Sequence, residues 1–442
     1  MKSSKVKTKL GASYWKLWSA TGISNLGDGI TSVAYPWLAS AVTRSPVLIA
    51  LSAVVSRLPW LLFTLHAGVI TDRFDRKKII VAMDSLRGAL TIIVGAVIFL
   101  ERDSLPSLSE LTTLTSLETN YSLYFVILVT AFLFGLAEVL RDNSAQTLMP
   151  AVVEAKDLEK ANGRMWSAES LTNSFIGPPL GSLLIGAAIF LPFFVDAITF
   201  FIAASLIASM KPTAKSFSPE AKSGPINFRV EIKEGFTWLW SHTLLRPMAI
   251  ILGLLNGIAA LTGATFILYA QEVLDTTVFI FAILGTAGAI GGILGGLLGP
   301  KVSEKIGTGR TLALVLFTEA LSTFLIGLTT QWQIVWILAA LATFTGVLWN
   351  VVTVSLRQSL IPTNLLGRVN SVYRFFAWGS IPIGTLIGGG LVTALEGPIG
   401  REMAFRSVYF IAGGLGFLLF LHAIRVLTTE KIDQARAAVS GL

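Results

Sequence analysis

Ionisable side chains inside long apolar runs are the residues of this sequence best suited to chemistry. Asp28 lies near the middle of the first apolar run, and Arg57 lies at a similar depth in the second. A charge in such surroundings is costly and usually marks a functional site. The two residues are expected to form a buried ion pair, and pairing for structure alone is the alternative to a functional role. Desolvation favours the neutral carboxyl, so such an acid can also take up and release a proton.

Other polar residues occur at helical spacing around these charges. Asn25, Asp28, Ser32 and Tyr35 form one stripe, a pattern suited to the wall of a water-filled cavity. Glu169 in the fifth run is followed by Asn173 one helical turn later. The stripe of Asn25, Asp28, Ser32 and Tyr35 predicts a wet space beside the first helix.

Two groups of residues have competing interpretations. Glu138 in the fourth run lies close to Arg141 and Asp142, so it is a proton carrier or a member of a charged cluster at the helix end. The second half offers a mixed polar and aromatic wall for an amphipathic ligand, formed by Gly346, Asn350, Thr353, Arg357, Arg374 and Trp378. A membrane Trp more often contacts lipid or the protein core, which is the alternative for Trp378.

The elements that must position these residues are long and apolar. The chain has 442 residues, of which 53% are hydrophobic and 14% charged, and its mean hydropathy is +0.71. A soluble domain carries about 25% charged residues, so this composition predicts an integral membrane protein. A run of about 20 apolar residues crosses a bilayer, and about twelve such runs occur, which predicts an all-α membrane fold.

The predicted helices form two groups of six. The first group covers roughly 14–43, 46–70, 79–100, 121–148, 158–188 and 190–210. The second covers roughly 244–271, 277–300, 311–330, 334–361, 366–395 and 402–428. The predicted domains are an N-terminal bundle of residues 1–210, a linker of 211–243, and a C-terminal bundle with its tail, 244–442. The linker contains FRVEIKEGFTWLWSH, which has the pattern of an amphipathic helix at the membrane surface.

The charge distribution predicts orientation and excludes several functions. The net charge is +8, and its basic residues concentrate in alternate connections, which places both termini in the cytoplasm and argues against nucleic-acid binding. The sequence has no Cys and only three His, so neither a thiolate nor a zinc site is expected. No phosphate-binding loop, catalytic triad or metal motif occurs in the sequence, so neither enzyme activity nor a cofactor is expected.

A short charged connection joins the second and third runs. Residues 68–78 read GVITDRFDRKK, which resembles the loop signature of the major facilitator superfamily, G-x-x-x-D-R-x-G-R-R/K, with Asp75 in place of its second Gly. SNLGDGI, ANGR followed by GPPLG, PFFVDA and EIKEGFTWLW occur in this order along the chain. Together they resemble the drug:proton antiporter branch, which includes macrolide-efflux and enterobactin-exporter-like proteins. The helix 4 Arg-x-x-x-Gly motif of antiporters is absent from its standard place.

The resemblance implies two pseudo-symmetric six-helix bundles around a central cavity that opens alternately to each side. It makes Asp28 and Glu169 the preferred proton carriers, with Glu138 as a third candidate. Residues expected to face the substrate are Asn25, Arg57, Asn173, Asn350, Arg357 and Trp378. Asp196 and Glu319 fall on helices that support the bundles in this family, so both are expected to be structural.

The resemblance also assigns the charged loop to a conformational latch. Gly68 would let the second helix end against the eleventh, and Asp72 would meet the positive end of that helix or Arg141. Arg73 and Arg76 would pair with carboxylates at helix ends, of which Asp84 and Asp142 are the candidates. Ordinary positive-inside charge is the alternative for the basic residues.

The motif GPPLG predicts an irregularity in the fifth helix through Gly177, Pro178, Pro179 and Gly181. Proline interrupts the backbone hydrogen bonds and glycine permits close helix packing. A structural kink and a hinge that controls leak or the swing between states both fit the motif.

The function predicted from these features is proton-coupled efflux of amphipathic drugs or natural products across a bacterial cytoplasmic membrane. The alternative is an exporter specific for a siderophore or another metabolite, with or without proton coupling. The expected partners are a small-molecule substrate, protons and the lipid bilayer, and the protein is expected to act as a monomer.

Overall fold

A computed structural model describes residues 10–153, 158–211, 228–362 and 365–440. Within these ranges the chain forms sixteen α-helices and no β-strand. The helices of the first half are α1 (Ala12–Val42), α2 (Pro46–Arg73), α3 (Arg76–Glu101), α4 (Tyr121–Val152), α5 (Leu158–Ser170), α6 (Gly177–Ala187) and α7 (Leu191–Ala208). Those that follow are α8 (Phe228–Ser241), α9 (Leu245–Gly263), α10 (Phe266–Glu272), α11 (Val278–Ile306), α12 (Thr308–Leu328), α13 (Trp332–Leu360), α14 (Leu366–Ile399), α15 (Arg401–Val426) and α16 (Thr429–Ser440).

The apolar runs of the sequence coincide with these helices. Ten stretches of the described chain are long and apolar enough to cross a membrane. The two remaining predicted runs correspond to α1 and to the interrupted helix formed by α5, a π-helical segment at Leu171–Ile176 and α6. The predicted all-α membrane fold is therefore confirmed, with the seventh run divided into α9 and α10.

Contacts divide the described chain into two compact units. Unit 1 contains the described residues within Met1–Val42, Val55–Leu108 and Asn120–Ser223. Unit 2 contains those within Thr43–Val54, Ser109–Thr119 and Gly224–Leu442, so the first residues of α2 cluster with the second unit. The division into bundles of 1–210 and 244–442 stays a prediction.

Four helices of unit 1 position the candidate site. The helix α1 packs against α7 and against the interrupted helix α5–α6, while α3 packs against α4 and α7. The packing of α3 brings its buried residues, among them Asp84 and Arg87, into the interior of the unit. A charged side chain there must find its partners within the unit because water has little access.

The charged turn between α2 and α3 has a local explanation. Asp75 precedes α3, and its Oδ1 accepts a hydrogen bond of 3.1 Å from the backbone N–H of Lys78. Aspartate is a favoured residue at this N-cap position because it satisfies a backbone donor that the helix leaves free. The residue that departs from the family signature therefore begins the third helix.

Unit 2 contains the predicted amphipathic helix, which is α8. This helix packs against α14, where Glu234 pairs with Arg368 and Gly235 lies against the backbone of Arg368. Phe236 and Trp240 stack with ring centroids 5.1 Å apart, and both are exposed. Such an exposed aromatic face suits the lipid headgroup region that the sequence pattern predicts for it.

Unit 2 also holds an ion network that joins several segments. Arg44, just before α2, donates hydrogen bonds to Gln271 at 2.6 Å and to Glu272 at 2.9 Å. Arg401 pairs with Glu272 at 2.7 Å and with Glu396 at 2.8 Å. Arg44 and Arg401 therefore connect the residues before α2, the end of α10 and the junction of α14 with α15 within unit 2.

Candidate functional site: a buried charge chain

The partner of Asp28 is Arg87 of α3. Arg87 Nη2 lies 2.6 Å from Asp28 Oδ1, and Arg87 Nη1 donates to Ser24 Oγ at 3.3 Å. The Arg87 side chain is 1% exposed and that of Asp28 is 23% exposed. The expected pair of Asp28 with Arg57 is wrong, since Arg57 is exposed. Equal depth in two helices says nothing about which faces of those helices meet.

Aromatic rings enclose the guanidinium of Arg87. Its Cζ lies 4.1 Å from the ring centroid of Phe200 on α7 and 4.6 Å from that of Phe134 on α4. The negative faces of aromatic rings attract a cation, and the attraction grows when water is excluded. Arg87 is therefore held between α3, α4 and α7 while its charge points at α1.

The ion pairs continue away from Asp28 in a row. Arg87 lies 3.5 Å from Asp84, which lies 3.4 Å from Arg141, and Arg141 lies 3.2 Å from Asp142. We name the row Asp28–Arg87–Asp84–Arg141–Asp142 the charge chain. Its middle members are buried, whereas the side chain of Asp142 is 34% exposed. The charge chain thus runs from a partly exposed carboxylate in α1 to a partly exposed carboxylate in α4.

The charge chain changes the assignments made for the latch. Arg141 pairs with Asp84 and Asp142 and also donates to Thr21 Oγ1 at 3.3 Å, so these contacts account for its guanidinium. Arg76 donates from Nε to the carbonyl of Thr71 at 3.4 Å. The surroundings of Gly68 and the side chains of Asp72 and Arg73 are not among the features that the structure describes. The latch therefore stays a prediction.

The other predicted proton carriers lie near the charge chain. Glu138 of α4 accepts a hydrogen bond of 3.4 Å from Trp60 Nε1, and Arg87 and Asp28 act on it electrostatically. Glu169, at the end of α5, is partly buried and experiences the charges of Asp142 and Arg141. Asp28, Glu138 and Glu169 therefore belong to one electrostatic system in unit 1.

Polar neighbours on the helices complete the site in unit 1. The Asn25 side chain donates to the carbonyl of Thr21 at 2.9 Å, which ties it to its own helix. Asn173 lies in the π-helical segment, and its carbonyl contacts α1 at Gly29. Among the residues that the structure describes, no group of three His, Cys, Asp or Glu is placed to hold a metal ion.

The GPPLG motif lies directly after the π-helical segment. Pro178 and Pro179 lack the N–H groups that an α-helix would offer to the carbonyls four residues earlier. The N–H of Gly177 instead donates to the carbonyl of Thr172, five residues earlier, which is the π-helical pattern. The predicted irregularity of the fifth helix is therefore present, and its use as a hinge stays a prediction.

Glycines make the crossing of α1 with this interrupted helix very close. A Cβ added to Gly29 would lie 2.5 Å from the Asn173 carbonyl oxygen, and one added to Gly177 would lie 2.5 Å from Gly29 Cα. A Cβ on Gly181 would likewise overlap the Ile30 carbonyl. The packing interpretation of the motif therefore has direct geometric support.

We expect Gly181→Ala to destabilise the protein by about 1–3 kcal/mol, the usual cost of overpacking. Gly186→Ala is the matched control on the same helix α6, because nothing lies within 4 Å of the added Cβ. Thermal unfolding of the purified protein in detergent measures both. Equal unfolding temperatures for the two variants would show that the close crossing contributes nothing to stability.

The candidate ligand wall of the second half shows contacts within unit 2. Asn350 is exposed and donates to the carbonyl of Gly346 at 3.3 Å. The guanidinium of Arg357 lies 4.0 Å from the ring centroid of Tyr373. Trp378 is 51% exposed. Arg357 is therefore positioned by Tyr373 of α14. Asn350 of α13 and Trp378 of α14 are exposed.

Three buried residues of unit 1 were not among the predicted site residues: Asp84, Arg87 and Asp196. Asp84 and Arg87 lie three residues apart in one apolar run, a spacing that places both on one helix face. That signal was available in the sequence. Their connection to α1 and α4 was not, because it depends on how the helices pack.

Comparison with known proteins agrees with this architecture. The profile of the Major Facilitator Superfamily matches residues 17–384. The multidrug efflux pump Tap of Mycobacterium tuberculosis is 24% identical over 436 residues, which cover 95% of this chain and 94% of Tap. The enterobactin exporter EntS of Shigella boydii is 23% identical over 414 residues, covering 92% of this chain and 91% of EntS.

Solved structures show the same fold at lower sequence identity. A bacterial homologue of the iron transporter ferroportin, in its inward-facing state, superposes with a TM-score of 0.72 at 15% identity. The superposition covers 95% of this chain and 100% of the homologue. Profile, relatives and fold agree over nearly the whole length, so the chain is a membrane transporter rather than an enzyme, and it belongs to the Major Facilitator Superfamily.

Proposed function

We propose that this transporter exports amphipathic drugs or natural products and that inward proton movement drives the export. The observation that carries the proposal is the ion pair of Asp28 with Arg87. The pair lies near the middle of α1, its arginine is enclosed, and its carboxylate is partly exposed. Intramembrane acids with this combination of burial and access mark proton pathways in transporters.

Protonation of Asp28 has a definite consequence in this geometry. A neutral Asp28 no longer balances the charge of Arg87, which lies 2.6 Å away, so the more distant Asp84 is the remaining carboxylate in an ion pair with Arg87. Arg87 touches α1, α3, α4 and α7 through its contacts, so loss of this pair loosens the packing of α1 against the rest of unit 1. A proton is thereby coupled to a rearrangement of helices, which is what secondary transport requires.

Glu169 and Glu138 are proposed as further carriers of the proton. Arg141 acts electrostatically on Glu169, and Arg87 acts on Glu138, so movement of either arginine changes how readily these acids hold a proton. Glu169 also adjoins the π-helical segment at Leu171–Ile176. Segments of this kind are frequent at functional sites, which supports the proposed hinge at Gly177 and Pro178.

The direction and substrate class rest on the relatives. Tap is a multidrug efflux pump and EntS exports enterobactin, and this chain aligns with nearly all of each. The second candidate function, export of one siderophore or other metabolite with or without proton coupling, is favoured by the match to EntS. The proposed substrate wall is formed by Asn25, Arg57, Asn173, Asn350, Arg357 and Trp378.

The proposal also covers the location of the protein and the segments that move during transport. We place the protein as a monomer in a bacterial cytoplasmic membrane with both termini in the cytoplasm, supported by the basic residues in alternate connections. Bundles 1–210 and 244–442 would rock about the substrate, joined by the linker 211–243. The latch of Gly68, Asp72, Arg73, Arg76 and Arg141 would hold the outward-open state.

Expression in a drug-susceptible bacterium tests the proposed function against its alternative. We expect raised resistance to several unrelated amphipathic antibiotics and dyes, together with efflux of ethidium that stops when an uncoupler collapses the proton gradient. Resistance that survives the uncoupler would contradict proton coupling. No resistance, with one metabolite accumulating in cells that lack the gene, would establish the specific exporter instead.

A further inference from the structure

Asp196 is a carboxyl enclosed beside the charge chain but outside it. It lies in α7 and is fully buried. Its carboxyl rests against the backbone of α1 at Gly27, where an added Cβ would overlap Asp196 Oδ1. Gly27 immediately precedes Asp28 in α1. The Asp196 carboxyl of α7 therefore contacts α1 next to the residue that carries the Asp28 carboxyl. Only glycine at position 27 leaves room for this approach.

Few hydrogen bonds reach the Asp196 carboxyl. The hydroxyl of Thr199 lies 2.7 Å from the Asp196 carbonyl and 3.4 Å from Oδ1, and it can donate to one of them at a time. The other oxygen, Oδ2, is buried without a hydrogen-bond partner among the described residues. An ionised carboxylate with so little compensation is costly in an apolar interior, whereas a neutral acid costs far less.

The charge of Arg87 acts on Asp196 as well as on Asp28. The Arg87 guanidinium lies 4.1 Å from the ring centroid of Phe200, which is one helical turn after Asp196 on α7. Side chains at that spacing have Cβ atoms about 5–6 Å apart. The titratable groups that face Asp196 are Asp28 and Tyr35 from α1 and Arg87 from α3.

A charge count shows why only one of the two acids is ionised. Arg87 and Arg141 supply two positive charges, which pair with the partly exposed carboxylate of Asp28 and the buried carboxylate of Asp84. Asp142 is partly exposed and has water as well as Arg141. No cation of the charge chain is left for Asp196.

We propose that Asp28 and Asp196 share one proton across Arg87. The proposed resting state has Asp28 as the carboxylate paired with Arg87 and Asp196 as the acid. When the proton passes from the Asp196 hydroxyl to the Asp28 carboxylate, the negative charge moves to Asp196, and Arg87 keeps its own protons and turns toward Asp196. The net charge of the three groups is unchanged, but the negative charge moves from the partly exposed Asp28 to the fully buried Asp196, where the Arg87 guanidinium must offset its cost.

This inference rests on the proposed function and deepens it. Asp28 is the member with access to water, and Asp196 is an enclosed second position for the coupling proton. A proton at Asp196 is shielded from solvent while Arg87 holds α1 through Asp28. Asp196 lies in α7, and the family resemblance implies that this helix supports the bundle. Under this proposal α7 also takes part in proton coupling.

Infrared spectroscopy of the protein labelled with carbon-13 at aspartate tests the shared proton. We expect wild-type protein to show the carbonyl stretch of a protonated aspartic acid, which Asp196→Asn removes. In Asp28→Asn, Arg87 has lost its first partner, so Asp196 becomes ionised and the band disappears at the same pH. A band that persists in Asp28→Asn overturns the inference, and this comparison decides it even if Asp196→Asn does not fold.

Transport in proteoliposomes supplies the second readout, with ethidium as the probe. Asp196→Asn is expected to abolish proton-driven uphill transport, keep ethidium exchange and displace the pH profile of transport, while Asp103→Asn behaves as wild type. Wild-type coupling and pH profile in Asp196→Asn would make Asp196 structural. If wild-type protein accumulates ethidium uphill without a proton gradient, the proposed function fails, while the infrared result still decides the shared proton.

Discussion

Asp28→Asn is expected to abolish uphill export while leaving exchange intact. Asparagine has the shape of the protonated acid but cannot release a proton, so the coupled cycle stops although the substrate path remains open. Cells with this variant should be as sensitive to ethidium as cells without the gene. Proteoliposomes should still exchange internal for external ethidium at a rate comparable with wild type.

Asp103→Asn is the matched control for this substitution. Asp103 is 88% exposed and lies 3.7 Å from Arg102, so the same chemical change is made at a surface ion pair. Exposed pairs of this kind contribute little, and full resistance is expected. Normal resistance in Asp28→Asn would remove Asp28 from the proton path and transfer the role to Glu169 or Glu138.

Arg87→Met is expected to destabilise the protein by about 3–5 kcal/mol, the usual effect of removing one partner of a buried ion pair. The substitution leaves Asp28 without its cation and Asp84 with Arg141 alone. It also removes the cation from between Phe134 and Phe200. Loss of transport is expected to accompany the loss of stability, which is measured by thermal unfolding in detergent.

Two comparisons separate charge from packing in this result. Arg102→Met makes the same change at a side chain that is 46% exposed, and its effect should stay within about 0.5 kcal/mol. The double variant Asp28→Asn with Arg87→Met removes both charges of the pair and should recover part of the lost stability. A double variant whose loss of stability equals the sum of the losses in Asp28→Asn and Arg87→Met would show that the pair has no net coupling.

The helical architecture could be predicted from the sequence because the signals that define membrane helices are local. Apolar runs such as 46–70 and 121–148 were located to within a few residues of α2 and α4, since the length of a membrane helix follows from the thickness of the bilayer. The GPPLG motif likewise predicted an irregular fifth helix, because proline removes backbone donors wherever it occurs.

The same local reasoning failed for the partner of Asp28. Depth along a helix can be counted from the sequence, and this made Arg57 a plausible partner. The direction of a side chain around the helix relative to other helices cannot be counted in that way. Arg87, one of two charges in an otherwise apolar run, was passed over although it lies 2.6 Å from Asp28.

By itself, the sequence determined that this chain is a helical membrane protein and located most of its helices to within a few residues, while the chemical role of Asp28 stays a prediction. Only the tertiary structure decided which charges meet: the charge chain from Asp28 to Asp142, and the enclosed acid Asp196 at the backbone of Gly27. The physical reason is that a helix forms through interactions a few residues apart. An ion pair in a membrane forms between helices, where packing selects one face of each.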